Sequence, residues 1–437
     1  MSTDGRHRAA VAIVLALVLV AASGCGSDRA AVRIGVLVDC TGFLGTLHDV
    51  TLASASLPLL ERGGSRTAAG GAQARVGGRR VELVPACTEQ TYLHLLILAT
   101  RRLVEDDGVD VVVGPIGTSE SIVFRKLAAR HPDVTFVAAQ GGAQETTLQD
   151  PQRNLFRFTS AGPQISAGLG SYAYHDLGWR RAVVVGEGYD PGSWALAAGF
   201  VSEFCALGGA VVDRDWLALY TPMPAAARHA READGVLLAA PTLSPLPYLT
   251  AYAAAVGPLA SRLLVAGSTF LDPGNLDAAH VDLDGVVAGG FIPIGAGGPR
   301  LRAFRSSFAA HFPQFPKTTA QDALRIPEYT AVEAVVSALA RTHGELGEGE
   351  ADLRAALAGG VVDAPQGRLL LDRDRQVVGP AYLERIVERP GGGATTRSVR
   401  TLTGVEQTFG GIFTSTSPSP SWTDPVCKRA SPPRWAR

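Results

Sequence analysis

Apolar positions in this chain come in short runs, separated by longer stretches where apolar and polar residues recur at helical spacing. The runs at 32–38, 80–86, 109–113 and 134–139 have the composition of strands buried on both faces, and helices are expected between them at 48–62, 89–106 and 122–130. After an extended segment at 154–159 the pattern restarts with a helix at 163–177, a strand at 182–185 and a helix at 193–207. Strands at 235–239 and 263–266 flank a helix at 245–256, and an extended stretch covers 285–294. Helices at 299–311, 328–342 and 352–358 then precede strands at 367–372, 381–387 and 398–402. Strands alternating with helices at this spacing mean doubly wound parallel sheets, and the restart means two of them. The Gly-, Ala- and Arg-rich segment 63–78 reads as a mobile surface insertion, and 406–437 as an irregular tail.

The stretch Asp110-Val-Val-Val-Gly-Pro-Ile-Gly-Thr-Ser-Glu-Ser121 concentrates the candidate chemistry. Gly114-Pro115 ends a buried strand, and Gly117-Thr-Ser119 opens a helix whose free backbone N–H groups suit an anion. Glu120, in the first turn, stabilises that helix and competes with a bound anion, and it is expected to face solvent. Small and hydroxyl residues also follow other strand ends, at Thr41-Gly42, Gln140-Gly-Gly142 and Gly267-Ser-Thr269. In doubly wound sheets ligands sit outside the carboxyl ends of strands, so these loops are expected to wall one cleft.

The length of 437 residues accommodates two domains, and a net charge of -1 lacks the basic excess of a nucleic-acid binder. Arg6, His7 and Arg8 precede the apolar run 9–22, which is short for a membrane span and ends in Ala22-Ser23-Gly24-Cys25. These residues resemble the lipobox of a bacterial lipoprotein, with Ala22 where a large aliphatic residue is usual. Residues 1–24 are then a signal peptide, Cys25 the lipidated residue and 25–31 a tether. An ordinary secretory signal is the alternative, and both export the chain. Of the remaining cysteines, Cys40 and Cys87 follow neighbouring strands and are expected to pair, which leaves Cys205 with Cys427. No Gly-x-Ser-x-Gly elbow, phosphate loop or His-Glu-x-x-His pattern occurs, so neither catalytic residues, metal nor cofactor are expected.

The order of segments resembles the type I periplasmic binding proteins, specifically the branched-chain amino-acid (leucine/isoleucine/valine) binding family of ABC transporters. The resemblance rests on Ile34-Gly-Val-Leu37, Val81-Glu-Leu-Val84, Asp110-Val-Val-Val-Gly-Pro115, Asn154-Leu-Phe-Arg-Phe158, Ala233-Asp-Gly-Val236 and Tyr329-Thr-Ala-Val-Glu-Ala334. It implies two lobes, 32–158 plus 290–363 and 159–289 plus 364–405, with crossings near 157–160, 287–292 and 360–368. It also implies that Ile116, Gly117, Thr118 and Ser119 hold a ligand's carboxylate, with Gln140, Gly141 and Gly142 as a second loop. Phe43 and Leu44 become a wall, and Tyr189 an aromatic closing from the other lobe. Ser268, Thr269 and Phe270 stand where the family often places an acid, with Asp272 nearby. The function implied is a monomeric, lipid-anchored solute-binding protein on the outer face of the cell membrane. It presents a small polar solute, an amino acid or a relative of one, to an ABC permease. A ligand sensor of the same fold and a secreted α/β enzyme are the alternatives.

Overall fold

A computed structural model of the chain describes residues 30–437, except 43, 219–220, 222, 240, 242–245, 272, 278–279, 296, 316–320 and 390–391. The expected leader and Cys25 lie outside the described residues, as do Phe43 and Asp272.

The strands of the first lobe are β1 (Val32–Asp39), β2 (Ser65–Arg66), β3 (Ala72–Val76), β4 (Arg79–Thr88), β5 (Val111–Val113), β6 (Thr135–Ala138) and β7 (Leu155–Arg157). They form one sheet in the order β2-β3-β4-β1-β5-β6-β7, parallel from β4 onward. The β-branched runs fit because helices cover both faces: Val111, Val112 and Val113 are fully buried.

The second lobe repeats the plan with β8 (Arg181–Glu187), β9 (Ala210–Leu217), β10 (Gly235–Ala239), β11 (Leu263–Ala266) and β12 (Val287–Gly290). These run parallel in the order β9-β8-β10-β11-β12. Three later strands, β13 (Val362–Ala364), β14 (Gly367–Leu371) and β15 (Val377–Glu388), continue antiparallel beyond β12, and β16 (Ala394–Val405) also pairs with β15. The fold is thus two α/β lobes wound alike, each with its switch in strand order beside the first strand.

Several expectations change. Segment 63–78 is an ordered extension of the sheet, because Ala72, Ala74 and Val76 alternate inward and bury against the first lobe. The helix expected at 163–177 is broken at Gly168, whose φ of 88° lies in the left-handed region. Strand β9 and the helix Met223–Ala230 were not expected, since Ala210-Val-Val-Asp-Arg-Asp-Trp-Leu217 mixes charges into an edge strand without clean alternation. The Asp322–Arg341 helix begins before the expected 328 and carries Pro327 in its second turn. Strand β15 links the β13–β14 pair to the parallel part of the second sheet. Its start pairs with β14 (Leu371↔Val377), and its later residues pair with β12 (Gly290↔Tyr382).

Both disulfides join the expected partners, Cys40–Cys87 and Cys205–Cys427. The first follows from register, since Val38 lies opposite Cys87 and the Cys40 N–H donates to Thr88 O at 3.1 Å. The second fastens the irregular tail, whose Phe409 and Phe413 are buried in the second lobe's core. Its cysteines stand 222 residues apart, so the bond restricts a long loop in the unfolded chain. Replacing Cys205 and Cys427 together by serine is expected to cost about 2–5 kcal/mol in urea unfolding. Reductant should then leave the variant's tail no looser than before.

Candidate ligand-binding cleft

The two sheets aim the carboxyl ends of their parallel strands at a shared cleft of about 410 Å³. From the first lobe come Leu44 and Leu47 after β1, Gln90 after β4, Ile116, Gly117 and Thr118 after β5, and Gln140, Gly141 and Gly142 after β6. From the second come Asp190 and Gly192 after β8, Pro241 after β10, Gly267, Ser268 and Thr269 after β11, and Phe291 and Ile294 after β12. Ala323, Leu324 and Pro327, from the first turns of the Asp322–Arg341 helix, close one side. The walls are largely aliphatic, with hydroxyls and amides set among them. No Lys, Arg or His lines the cleft among the described residues, and Asp190 is the acid that does.

Local chemistry fixes each loop. Gly141 has φ +65°, and a Cβ there would fall 2.5 Å from Ser121 Cβ, so the turn requires glycine. The Thr118 hydroxyl accepts from the Gly142 N–H at 3.3 Å, joining the two first-lobe loops. Across the cleft the Ser268 hydroxyl accepts from the Phe291 N–H at 3.0 Å, and Asn275 Nδ2 donates to Thr269 O at 2.8 Å. Asp190 caps the Pro191–Leu207 helix by accepting from the Gly192 N–H at 2.8 Å, and burial raises its pKa.

Of the residues singled out from sequence, Leu44, Ile116, Gly117, Thr118, Gln140, Gly141, Gly142, Ser268 and Thr269 all line this cleft. Ser119 lies outside the lining, and Phe270 is buried in the core at 1 % exposure. Tyr189 also lies outside it, 55 % exposed, while its neighbour Asp190 faces in. The signal for Asp190 was available: an aspartate directly before the proline that opens a helix is an N-cap. The start of the Asp322–Arg341 helix had no such signal, because its role in the wall depends on tertiary packing.

Glu120 does not face solvent. It is fully buried, and its Oε2 accepts from the Gly117 N–H at 3.1 Å. Asp39 and Glu89 are buried close enough to repel it, and Glu328 is buried close enough to feel Asp39, so four carboxyls share this region. Both Glu328 oxygens and Glu120 Oε1 have no hydrogen-bond partner among the described residues. Asp39 has the Gln90 N–H and the Thr88 hydroxyl nearby but completes no hydrogen bond. Burial pushes Asp39 up to about 6 and Glu120 and Glu328 to about 8; repulsion from Glu89 adds to it at Asp39, and repulsion from Asp39 adds to it at Glu120 and Glu328.

A profile described as "Periplasmic binding protein" matches residues 31–393. The chain belongs to that family. Among solved structures it is similar to an ABC transporter substrate-binding protein from Sphaerobacter thermophilus (23 % identity, TM-score 0.73, covering 86 % of this chain and 99 % of that one). It is also similar to a Rhodopseudomonas palustris solute-binding protein in complex with benzoate (22 %, TM-score 0.69, 86 % and 98 %). A leucine-binding protein from Thermotoga maritima shares the fold at 16 % identity (TM-score 0.68, 85 % and 99 %). No curated protein matches the chain. The family match ends before the tail that carries Cys427.

The buried acids give a pH signature. Glu328 moves from 4.5 to about 8 on folding, so between those values the unfolded chain ionises while the folded one holds its proton. Stability therefore falls as pH rises through that window, and below it the group contributes nothing. Glu328→Gln removes this group's share of the slope and leaves the shares of Glu120 and Asp39. Relative to the variant, the parent is expected to lose up to about 1.4 kcal/mol per pH unit between pH 5 and 8 in urea midpoints. Parallel profiles would refute the assignment.

Proposed function

We propose that this chain is a solute-binding protein of an ABC transporter, exported and held at the outer face of the cell membrane through a lipid on Cys25. One lobe cradles the solute on the loops after β1, β5 and β6, and the other closes over it. Solute shifts an open–closed equilibrium by binding the closed form better. The loaded monomer then docks on its permease.

The observation that carries this reading is the cleft itself. Loops from eight parallel strands of two like-wound lobes converge on one space of about 410 Å³, the size range of small-molecule sites. The aliphatic walls with isolated hydroxyls and amides suit a small solute with an apolar body and a polar head. The similar structures of the Rhodopseudomonas and Thermotoga proteins, named for benzoate and leucine, support solutes of that size.

The test is a thermal-shift screen of the mature chain against amino acids, amides, amines and aromatic acids. A true solute at one hundred times its Kd should add about 2.7 kcal/mol of stability. Gly142→Leu supplies the control, because a Cβ at this position meets nothing closer than 3.5 Å and the rest of the side chain enters the cleft. This variant should keep its ligand-free stability within about 1 kcal/mol and lose the solute-induced shift. A shift that survives in the variant would place binding elsewhere.

A further inference from the structure

We infer that Asp213, Asp215 and His229 form a binding site for a divalent transition-metal ion of the zinc class, on the second lobe and apart from the cleft lining. The inference goes beyond solute capture and does not depend on it.

The site is built by an irregularity in β9. Ala182 of β8 lies opposite Val211, whereas the next residue, Val183, lies opposite Asp213, so Val212 is an extra residue in the edge strand. Past that bulge Asp213, Asp215 and Leu217 lie opposite Val183, Val185 and Glu187. Val183, Val185 and Leu217 share one core cluster with Ala227 and Ala230 of the Met223–Ala230 helix, while Ala182, Val184 and Val211 pack on the other face. Plain alternation from Val211 would put Asp213 and Asp215 on that other face. The extra residue turns both carboxylates toward the helix instead, and the last turn of that helix carries His229.

The resulting geometry suits one small cation. His229 Nδ1 stands 3.1 Å from Asp213 Oδ2 and 3.8 Å from Asp215 Oδ1, and the three ligand atoms lie within 4.8 Å of one another. Donors held about 2.1 Å from a tetrahedral ion stand roughly 3.4 Å apart, so the two nitrogen–oxygen separations bracket that spacing. Nδ1 carries at most one hydrogen and cannot satisfy two carboxylates. No Lys or Arg forms an ion pair with either acid among the described residues. Arg214, between them in sequence, serves the opposite face, where it donates to Pro425 O and Trp422 O.

A buried group beside the cluster points the same way. Tyr248 is fully buried, its hydroxyl has no hydrogen-bond partner among the described residues, and it lies close enough to feel the charge of Asp215. Asp215 Oδ2 is also buried without a partner. Burying a hydroxyl unpaired opposes folding. An ion on Asp215 Oδ1 fixes that carboxylate and leaves Oδ2 to accept from the Tyr248 hydroxyl, the usual outer support of a ligating acid. One imidazole with two carboxylates suits zinc and its neighbours, whereas magnesium and calcium prefer oxygen alone. His229 is exposed and Asp213 half-buried, so an ion can enter and water can complete its coordination. Once bound, it pins the helix to the edge strand. No spacing motif joins Asp213-x-Asp215 to His229, and for that reason the sequence alone predicts no metal.

The experiment titrates zinc chloride, in parallel with magnesium and calcium chlorides, into the untagged, EDTA-treated mature chain and reads heat and melting temperature. Zinc is expected to bind at about one equivalent and to raise the melting temperature by mass action, with magnesium and calcium far weaker. His229→Ala and Asp215→Asn should each weaken zinc by about tenfold or more, and Tyr248→Phe, which keeps the ring, by about tenfold. The His229 variant, altered at an exposed position, should keep its metal-free melting temperature. Zinc that binds the His229 and Asp215 variants as tightly as the parent sits on other side chains and overturns the assignment, as does an absence of binding. Unaltered affinity in Tyr248→Phe overturns the supporting role of that hydroxyl. None of these results bears on solute capture in the cleft.

Discussion

The structure depends on one buried cation at the junction of the lobes. Arg157 is the largest fully buried side chain, and no carboxylate pairs with it at ion-pair distance among the described residues. Burial lowers its pKa to about 9; Glu145 and Asp372 favour its charge from a distance, and backbone and amide dipoles receive its hydrogen bonds. Its Nη1 donates to Gly141 O at 3.2 Å and to Ala143 O at 2.6 Å, its Nη2 to Thr147 Oγ1 at 3.0 Å, and its Nε to Gln376 Oε1. Gln376 in turn donates to Thr159 O and Gln164 Oε1, and Gln164 donates to Val377 O and Val405 O. One chain of hydrogen bonds therefore ties a cleft loop, the first crossing, the start of β15 and the end of β16. Buried networks of this kind are rigid when complete and costly when a member is missing. That constraint holds the Gln140-Gly-Gly142 loop in place at the junction.

Each lobe is stiffened separately from that junction. Cys40–Cys87 locks the loop after β1 to the end of β4, next to Leu44 and Gln90 of the cleft. Cys205–Cys427 draws the tail across the second lobe, where the Trp422 indole donates to Gly188 O at 3.0 Å and the Trp216 indole donates to Trp422 O at 2.9 Å. Gly188 directly precedes Tyr189 and Asp190, so the tail braces the rim of the second jaw. Two stiff bodies on a narrow junction are what domain closure requires, because motion is then confined to the crossings.

Most of the architecture was legible because its signal is local. Buried parallel strands declare themselves as unbroken β-branched runs, as in Val111, Val112 and Val113, and cleft loops as small residues after such runs. What escaped depends on tertiary context. The edge strand β9 carries Asp213, Arg214 and Asp215, and no periodicity marks it. The break at Gly168 looks like any helical glycine until its left-handed φ is seen. Segment 63–78 has the composition of a loop, yet Arg66 donates to His311 O and lies over the Phe312 ring, which fixes it to the lobe. Glu120 reads as a solvent-facing residue in an acidic first turn, and only the packing of the ends of β1 and β4 around it, at Asp39, Thr88 and Glu89, reveals that it is buried.

The buried acids explain why the resemblance gave the fold correctly and left the solute's chemistry open. Fold is set by many apolar contacts that tolerate substitution, whereas discrimination between a carboxylate and an amide turns on a few unmatched polar atoms. Glu120 closes a capping box on the Gly117 N–H, so its carboxyl is committed to the start of the helix behind the loop. Keeping Asp39 and Glu328 beside it opposes folding at neutral pH, since each must be held protonated or unpaired in a dry layer. Apolar residues of similar volume would pack there without that cost.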